Sequence, residues 1–413
     1  MESFNLELTD MAHGGAALGR HEGKVIFVPY GLPGETVRVE LVEDRSRYAH
    51  ARLVDVLEPS PARVSPPCPY FGPQGCGGCQ WQHVEYEAQL RLKADVVADQ
   101  LERIGRLDEP RVRPTLADPS GWAYRNRARF HLAANGELGF RAASNDRVVP
   151  VEECLILHPL LSELYSSLDL DLPELRALIL RAAIATGDRM LIFDMEEDKA
   201  PALVTDVPVS CVLLRPDSPP ASLVGRDYLV ESVAGYSYRV SASSFFQVNT
   251  PQAAQLLQLV LEYLELEGGE VVLDGYCGVG LFTVPLTEQA GLVIAVESAY
   301  SPAEDLLENT DGIENVEVIE GPVGAVLADI ESLDAAVVDP PRKGLEREVV
   351  EGLIAAEPNR IVYVSCDPAT LARDGRQLAQ AGYRMIEAQP VDMFPQTYHV
   401  ETVSLWERTN LRG

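Results

Sequence analysis

The stretch Val271-Val272-Leu273-Asp274-Gly275-Tyr276-Cys277-Gly278-Val279-Gly280 decides the fold, because an apolar strand runs directly into a glycine-containing turn. Glycines at such a turn let the backbone approach a nucleoside. Glu297 ends the next apolar run, about twenty residues on, where an acid can accept both ribose hydroxyls. The spacing is not the dinucleotide G-x-G-x-x-G and no P-loop lysine follows, so the pattern favours S-adenosylmethionine over NAD or ATP. A tight turn that binds nothing is the plain alternative.

The alternation of apolar runs and helical stretches continues from this turn towards the end of the chain. The predicted strands lie at 271–274, 292–297, 316–319, 334–339, 360–365 and 383–388. A helix is predicted from Asn249-Thr250-Pro251 to Leu266, since proline suits the first helical turn. Strands that alternate with helices predict an α/β fold with a mostly parallel, doubly wound sheet. We assign residues 236–413 to this domain.

The preceding residues have a different pattern. Short alternating runs separated by glycine-rich turns predict a small OB-like β-barrel over residues 1–58, and a cluster of prolines marks a linker after it. Residues 59–235 are predicted to form a central α+β domain. Its predicted helices lie at 84–104, near 159–169 and near 173–186, with irregular loops at 215–217 and 218–220.

Length and composition indicate a protein with two or three domains. The 413 residues carry a net charge of −29 and seven cysteines. The start of the chain has neither the basic nor the apolar region of a signal peptide, and no apolar stretch is long enough for a membrane span. We therefore expect a cytoplasmic protein with no membrane partner, in which cysteines serve metal binding or catalysis rather than disulfides.

Negative charge is unevenly distributed. Residues 59–150 have 12 Lys and Arg against 10 Asp and Glu, whereas residues 151–413 have 16 against 43. Arg125, Arg127 and Arg129 alternate along a predicted strand, which would place three guanidiniums on one face. An RNA-facing surface and an ordinary solvated strand face both fit this pattern.

Three side chains are predicted at strand ends. Cys366 follows the apolar run 360–364 and precedes Asp367-Pro368, where a strand must stop. A strand, a turn and a helix in that order hold reactive groups at the carboxyl edge of a sheet, although a lone cysteine is usually a small buried hydrophobe. Asp339 follows another apolar run and precedes two prolines, and Glu401 precedes the last apolar run. For Glu401, an exposed acid is the plain alternative.

The strings Asp339-Pro340-Pro341-Arg342, Ser365-Cys366-Asp367-Pro368 and His399-Val400-Glu401 follow Phe245-Phe246-Gln247-Val248-Asn249 and the 274–280 turn. This set resembles the RNA uracil-C5 methyltransferases over essentially the whole chain. The resemblance implies a Rossmann-like class I methyltransferase domain and an N-terminal TRAM barrel. It implies that Cys366 is the nucleophile and Glu401 the base. It also implies that S-adenosylmethionine or the target base contacts Gln247, Tyr276, Glu297 and Asp339.

The implied chemistry requires both a thiol and a base. Uracil C5 is too weak a nucleophile to take a methyl group unaided, and addition of the Cys366 thiolate to C6 creates an enolate that can. C5 then carries a proton as well as the methyl group. A base, Glu401, must remove that proton before the sulfur is eliminated. The target nucleotide must leave its stack to enter such a pocket.

Four further cysteines, Cys68, Cys76, Cys79 and Cys154, can hold either zinc or an iron–sulfur cluster, and their spacing alone does not separate the two. The Cys-Gly-Gly-Cys-Gln string at 76–80 resembles the family members with a 4Fe–4S cluster, so the resemblance favours that cluster over zinc. A cluster with four cysteine ligands has no open iron, which implies a structural or RNA-organising role. Cys211 and Cys277 are left to packing.

Some positions depart from the family pattern: Gly275, Leu281 and Pro322 stand where an apolar, a polar and an acidic residue are common. The resemblance favours 23S rRNA as substrate, acted on by a monomer. A tRNA substrate, a non-catalytic RNA-binding protein and an iron–sulfur redox protein are the alternatives.

Overall fold

The computed structural model describes residues 3–170, 175–195, 203–216 and 218–409. These residues form a closed barrel, a central seven-stranded sheet with two small strand pairs, and a second seven-stranded sheet flanked by helices. No helix in the described ranges is long and apolar enough to cross a membrane.

Five strands form the N-terminal barrel: β1 (Ser3–Met11), β2 (Ala17–His21), β3 (Lys24–Val28), β4 (Thr36–Asp44) and β5 (Tyr48–Glu58). They follow the order β1-β2-β3-β5-β4, and β1 pairs with β4 to close the barrel. Alternate residues such as Leu6, Leu8, Val37 and Val39 point inward and are buried. The predicted barrel is confirmed.

Helix α1 (Tyr86–Arg103) joins the barrel to the C-terminal sheet. Ala88 and Val96 pack into the barrel core, whereas Leu101 packs into one core of the C-terminal sheet. Between them lies Lys93, which is fully buried and contacts Asp392 with an Nζ–Oδ1 distance of 2.5 Å. A buried charge must be paired to be tolerated, so this ion pair fixes α1 against the C-terminal domain.

The described residues of the central region form helix α2 (Pro159–Ser166) and eleven strands. The strands are β6 (Arg127–Leu132), β7 (Leu138–Arg141), β8 (Val148–Pro150), β9 (Asp169–Leu170), β10 (Leu175–Ala182), β11 (Arg189–Met195), β12 (Leu203–Val204), β13 (Ser210–Arg215), β14 (Ser218–Val224), β15 (Tyr228–Val233) and β16 (Tyr236–Ser241). The seven-stranded sheet has the order β14-β13-β11-β10-β6-β7-β8. The strand pairs are β12-β9 and β15-β16.

Two predictions for the central region are wrong. The helix predicted near 173–186 is instead strand β10 over 175–182, and residues 173–174 lie outside the described part. Almost every residue of β10 is buried, so it lacks the polar alternation of a strand, and pairing overrides the helix propensity of its leucines and alanines. The predicted loop at 218–220 begins β14, an edge strand where prolines are tolerated. Asp217 of the loop predicted at 215–217 lies outside the described residues.

The C-terminal sheet has the order β19-β18-β17-β20-β21-β23-β22. Its strands are β17 (Val271–Gly275), β18 (Leu292–Glu297), β19 (Val316–Glu320), β20 (Ala335–Val338), β21 (Arg360–Ser365), β22 (Tyr383–Val391) and β23 (Glu401–Arg408). The helices are α3 (Thr250–Leu264), α4 (Thr283–Leu286), α5 (Tyr300–Asn309), α6 (Val323–Ala328), α7 (Arg347–Ala356) and α8 (Pro368–Gln380). Two hydrophobic cores cover its faces. The six predicted strands and the mostly parallel sheet are confirmed.

Strand β23 departs from the parallel arrangement. It lies between β21 and β22 and runs antiparallel to both. An antiparallel strand begins where its parallel neighbours end, so the first residue of β23, Glu401, lies at the carboxyl edge of the sheet.

Candidate active site

The predicted cofactor turn lies at the carboxyl end of β17. Gly278 and Gly280 have positive φ angles of 58° and 96°, and the Gly278 amide donates to Glu297 Oε2 at 3.0 Å. The other Glu297 oxygen accepts from the Ala299 amide at 2.7 Å. Both bonds fix the carboxylate at the end of β18, beside the turn. This arrangement matches the predicted place of an acid that accepts ribose hydroxyls.

Asp274, near the end of strand β17, is fully buried. Its Oδ2 accepts from Thr283 Oγ1 at 2.5 Å, whereas Oδ1 has no partner among the described residues. Burial, followed by the nearby Glu297, raises the pKa of Asp274 to about 7. An unpartnered buried oxygen beside the glycine turn fits a site that a polar ligand completes.

Tyr276 and Gln247 are two further predicted cofactor residues. They lie in different parts of the domain. Tyr276 has a φ of 64° within the turn, and its hydroxyl donates to Glu346 Oε2 at 2.5 Å. Gln247 is buried just before α3, and its backbone carbonyl accepts from Asn126 Nδ2 at 3.1 Å. Tyr276 therefore has a hydroxyl partner already, its amide donates to the Val296 carbonyl at 3.0 Å, and its ring packs against a core of the C-terminal sheet.

Cys366 follows β21 in the predicted strand, turn and helix. Asp367 is the N-cap of α8, and its Oδ1 accepts from the Ala369 and Thr370 amides at 2.9 and 3.0 Å. Ser365 Oγ donates to the Asp367 carbonyl at 3.0 Å. The capped turn leaves Cys366 partly exposed at the edge of the sheet, so the simple buried-hydrophobe interpretation does not hold.

Two carboxyl groups lie beside Cys366. Asp339 directly follows β20, which pairs with β21, and Glu401 begins β23 on the other side of β21. Burial and then Asp339 raise the pKa of Glu401 well above its usual range, although Arg342 opposes this. Burial and then Glu401 and Asp339 raise the pKa of Cys366 to about 12. In the free protein the thiol is therefore protonated, and the two buried carboxyl groups resist ionisation.

A catalytic pocket of about 140 Å³ opens above Cys366. Its lining includes Arg342, His399 and, from the barrel, His13. Arg342 Nη2 lies 3.4 Å from His399 Nδ1. Burial and then Arg342 lower the pKa of His399 to about 4, so its imidazole is neutral.

The four predicted metal-ligating cysteines line a separate cysteine cavity of about 310 Å³. The structure thus brings together Cys68, Cys76, Cys79 and Cys154, although Cys154 is distant in sequence. The Gly78 amide donates to Cys76 Sγ at 3.4 Å, a contact suited to a metal-bound sulfur. Among the described residues, no group of three or more His, Cys, Asp or Glu is placed closely enough to hold a metal ion.

The arginines of the predicted cationic strand do not present one free face. Arg129 Nη2 contacts Asp194 Oδ2 at 2.6 Å, and Arg125 Nε donates to the Arg127 carbonyl at 2.9 Å. Burial, then Arg125 and Arg129, lower the pKa of Arg127, whose Nε is buried without a partner among the described residues. Of these three arginines, Arg125 and Arg129 line the cysteine cavity and Arg127 does not.

Sequence reasoning missed His13 and gave no role to Arg342 or His399. Arg342 and His399 line both the catalytic pocket and the cysteine cavity and form the wall between them. Both belong to strings that carry the family resemblance, which was a usable signal. His13 lies next to Gly14-Gly15, which the sequence indicated only as a turn.

One solved structure similar to this chain is that of the Pyrococcus abyssi tRNA (uracil-54, C5)-methyltransferase in complex with S-adenosyl-L-homocysteine. The TM-score is 0.76 with 27% identity, and the match covers 98% of this chain and 100% of that one. Fold and site together define a class I, S-adenosylmethionine-dependent methyltransferase that acts on RNA.

Family comparisons identify the chain more closely. The model of the tRNA (Uracil-5-)-methyltransferase family matches residues 222–409, and the TRAM domain model matches residues 3–54. An uncharacterized RNA methyltransferase of Gloeobacter violaceus is 35% identical over 99% of this chain and 97% of its own length. Another, of Streptomyces avermitilis, is 37% identical over 98% of both chains. This chain therefore belongs to the RNA uracil-5-methyltransferase family, with an N-terminal TRAM domain.

Proposed function

We propose that this protein forms 5-methyluridine in RNA through a covalent adduct between Cys366 and uracil C6. The observation that carries the proposal is the convergence of Cys366, Asp339 and Glu401 at one edge of the sheet. Three adjacent strands, β20, β21 and β23, supply them. A nucleophile between two acids is the arrangement that addition and elimination at a pyrimidine require.

The residues act in a defined order. The Cys366 sulfur adds to C6, and Asp339 hydrogen-bonds the pyrimidine so that the negative charge of the enolate is held in place. S-adenosylmethionine, when bound, supplies the methyl group to C5. Glu401 then accepts the C5 proton, and elimination breaks the S–C6 bond to restore the thiolate. The raised pKa of Glu401 makes it a stronger base than an exposed glutamate once it is ionised.

We infer 23S rRNA as the substrate, from the resemblance of the chain to the 23S rRNA uracil-5-methyltransferase type. A tRNA substrate is the second candidate, and the full-length match to the Pyrococcus abyssi tRNA enzyme favours it. The two are separated by incubating the purified protein with 23S rRNA and with total tRNA, each lacking 5-methyluridine. The nucleoside is then measured by mass spectrometry after digestion. We further infer a cytoplasmic monomer.

We also infer a 4Fe–4S cluster in the cysteine cavity. Four cysteines line one cavity of about 310 Å³, which is larger than a single ion needs and so supports the cluster over zinc. A cluster spreads its cysteine ligands over a wider space than one ion does. Iron analysis and the visible absorption of protein purified without oxygen test this assignment.

The covalent mechanism is tested with RNA that contains 5-fluorouridine. Fluorine cannot leave C5 as a proton, so the adduct should accumulate as a complex that survives denaturation. Cys366→Ala should form none, whereas Glu401→Gln should accumulate the methylated adduct even with ordinary uridine. Absence of any adduct with either RNA class would contradict the mechanism.

A further inference from the structure

The turn between β1 and β2 of the barrel forms part of the catalytic pocket. His13 and Gly14 of this turn line the same pocket as Cys366. Trp81 Nε1 donates to the Gly15 carbonyl at 3.1 Å, and a Cβ on Gly15 would lie 2.6 Å from the Tyr398 ring. The turn is therefore held firmly against the C-terminal domain, and its position over Cys366 is defined.

His13 is oriented by an acid next to the nucleophile. Its Nε2 lies 3.5 Å from Asp367 Oδ2, while Asp367 Oδ1 is held by the first amides of α8. The helix thus fixes the carboxylate, and the imidazole lies within ion-pair distance of it. With Nε2 towards Asp367, Nδ1 is left for the pocket. A carboxylate, an imidazole and a thiol around one cavity are the groups that activate a cysteine nucleophile.

The reaction needs a group that takes the thiol proton, because burial and the nearby acids keep Cys366 protonated. Arg342 is a permanent cation and accepts no proton. His399 faces Arg342, and its pKa of about 4 makes it a poor acceptor. Asp339 and Glu401 lie at the ends of neighbouring strands. In the proposed mechanism Asp339 hydrogen-bonds the pyrimidine and Glu401 accepts the C5 proton. Asp367 also lines the pocket, but its carboxylate caps α8, so His13 is the basic side chain of the lining that has no other assigned role.

We propose that His13 is the general base that removes the thiol proton of Cys366, an inference that rests on the covalent mechanism proposed above. The proton moves from sulfur to His13 Nδ1, directly or through one water, since the pocket has room for several waters. The thiolate electron pair then forms the S–C6 bond. On elimination this pair returns to sulfur, and His13 returns its proton to the thiolate. Glu401 releases the C5 proton to solvent.

Alkylation of Cys366 by iodoacetamide in the full chain without RNA tests this role, with peptide mass spectrometry to separate Cys366 from the other cysteines. His13→Gln retains a polar group beside Asp367 but has no base. At pH 7 we expect alkylation about 10-fold slower than in the unsubstituted protein. The pH profile of the alkylation rate should also differ between the unsubstituted protein and the variant. His50→Gln, at an exposed position on β5, is the matched control and should change neither.

A second measurement follows adduct formation with 5-fluorouridine RNA in a single turnover. His13→Gln should slow this step by about 10²-fold, the usual effect of a general base, with little change in RNA affinity. Asp367→Asn, which retains an N-cap residue, should slow adduct formation less than His13→Gln does. This variant replaces His13→Gln in the test if His13→Gln does not fold. Identical alkylation profiles for His13→Gln and His50→Gln, or weaker RNA binding with unchanged alkylation, would overturn the role of His13. If the unsubstituted protein forms no adduct, the mechanism itself fails, while the alkylation comparison still decides whether His13 activates Cys366.

Discussion

The catalytic pocket and the cysteine cavity share a wall but place cysteine in opposite surroundings. Arg342 and His399 line both spaces. In the pocket one thiol lies among carboxyl groups, so the neighbours decide when its proton leaves. In the cavity four cysteines line one space, as the proposed cluster requires. The comparison teaches that the side chains around a cysteine, more than its burial, decide which role we propose for it in this protein.

Removal of the pocket thiol has the largest expected effect. Cys366→Ala should reduce methylation by at least about 10⁴-fold, because no other group can add to C6. Methyl transfer from labelled S-adenosylmethionine to RNA measures this loss. S-adenosylmethionine binding, followed by calorimetry, should be unchanged, and retained methylation would show that the pocket is not the reactive site.

A change in the cavity should have a different signature. Cys79→Ser should lower the iron content and the thermal midpoint, because a structural metal group contributes directly to folding free energy. Some adduct with 5-fluorouridine RNA should still form, since Cys366 is intact. Cys211→Ser, at a buried cysteine outside both spaces, is the control and should retain full iron content. Equal iron in both variants would contradict the cluster assignment.

The buried acid beside the cofactor turn should make stability depend on pH. Asp274 has a folded pKa of about 7 against 3.8 for the unfolded residue, so folding favours its neutral form. Its contribution is fully present below pH 3.8 and is lost as the pH rises towards 7. The loss at higher pH is about 4 kcal/mol, because one pKa unit corresponds to about 1.4 kcal/mol.

Urea unfolding of the ligand-free protein between pH 4 and 8 measures this dependence. Asp274→Asn should flatten the curve and be more stable than the unsubstituted protein at pH 8. An unchanged slope in the variant would show that another group causes the dependence.

A smaller effect is expected at the shared wall. Arg342→Gln removes the cation that opposes the high pKa values of Cys366 and Glu401. Alkylation of Cys366 at pH 7 should slow by about 10-fold, corresponding to one pKa unit. Arg342→Lys retains the charge and should recover most of the rate. Equal rates in the two variants would mean that shape rather than charge matters there.

The smallest effect is expected from the barrel turn. Gly15→Ala places a methyl group against the Tyr398 ring and strains a residue whose φ is 80°. The turn should shift by a fraction of an ångström, and methylation should fall by roughly 10-fold or less, since misplacement by about 1 Å costs up to 10²-fold. Single-turnover methylation measures this, and Gly23→Ala in the next turn, where no atom lies near, is the control for backbone strain alone.

Features that depend on residues adjacent in the chain were predictable from the sequence. The Asp367-Pro368 pair marks the end of β21 and caps α8, so the position of Cys366 followed from a local signal. The glycine turn and Glu297 were predictable for the same reason. Strand β10 was not, because burial on both faces removes the alternation that identifies a strand.

The assembled site depended on contacts that no local pattern encodes. Glu401 reaches Cys366 only because β23 inserts between β21 and β22, and sequence order alone would place it at the far side of β22. His13 lies hundreds of residues before Asp367, and their contact requires the barrel to dock on the sheet. The alternation of three arginines predicted one cationic face, but pairing with Asp194 and burial of Arg127 remove it.

The insertion of β23 also has a consequence for protein synthesis on the ribosome. Strands β17 to β21, with the cofactor turn and Cys366, are synthesised before Glu401. A chain that ends before β23 has Cys366 but lacks Glu401, the base proposed to take the C5 proton. Because Glu401 begins the strand that completes the sheet, the proposed mechanism makes release of methylated RNA depend on the finished fold.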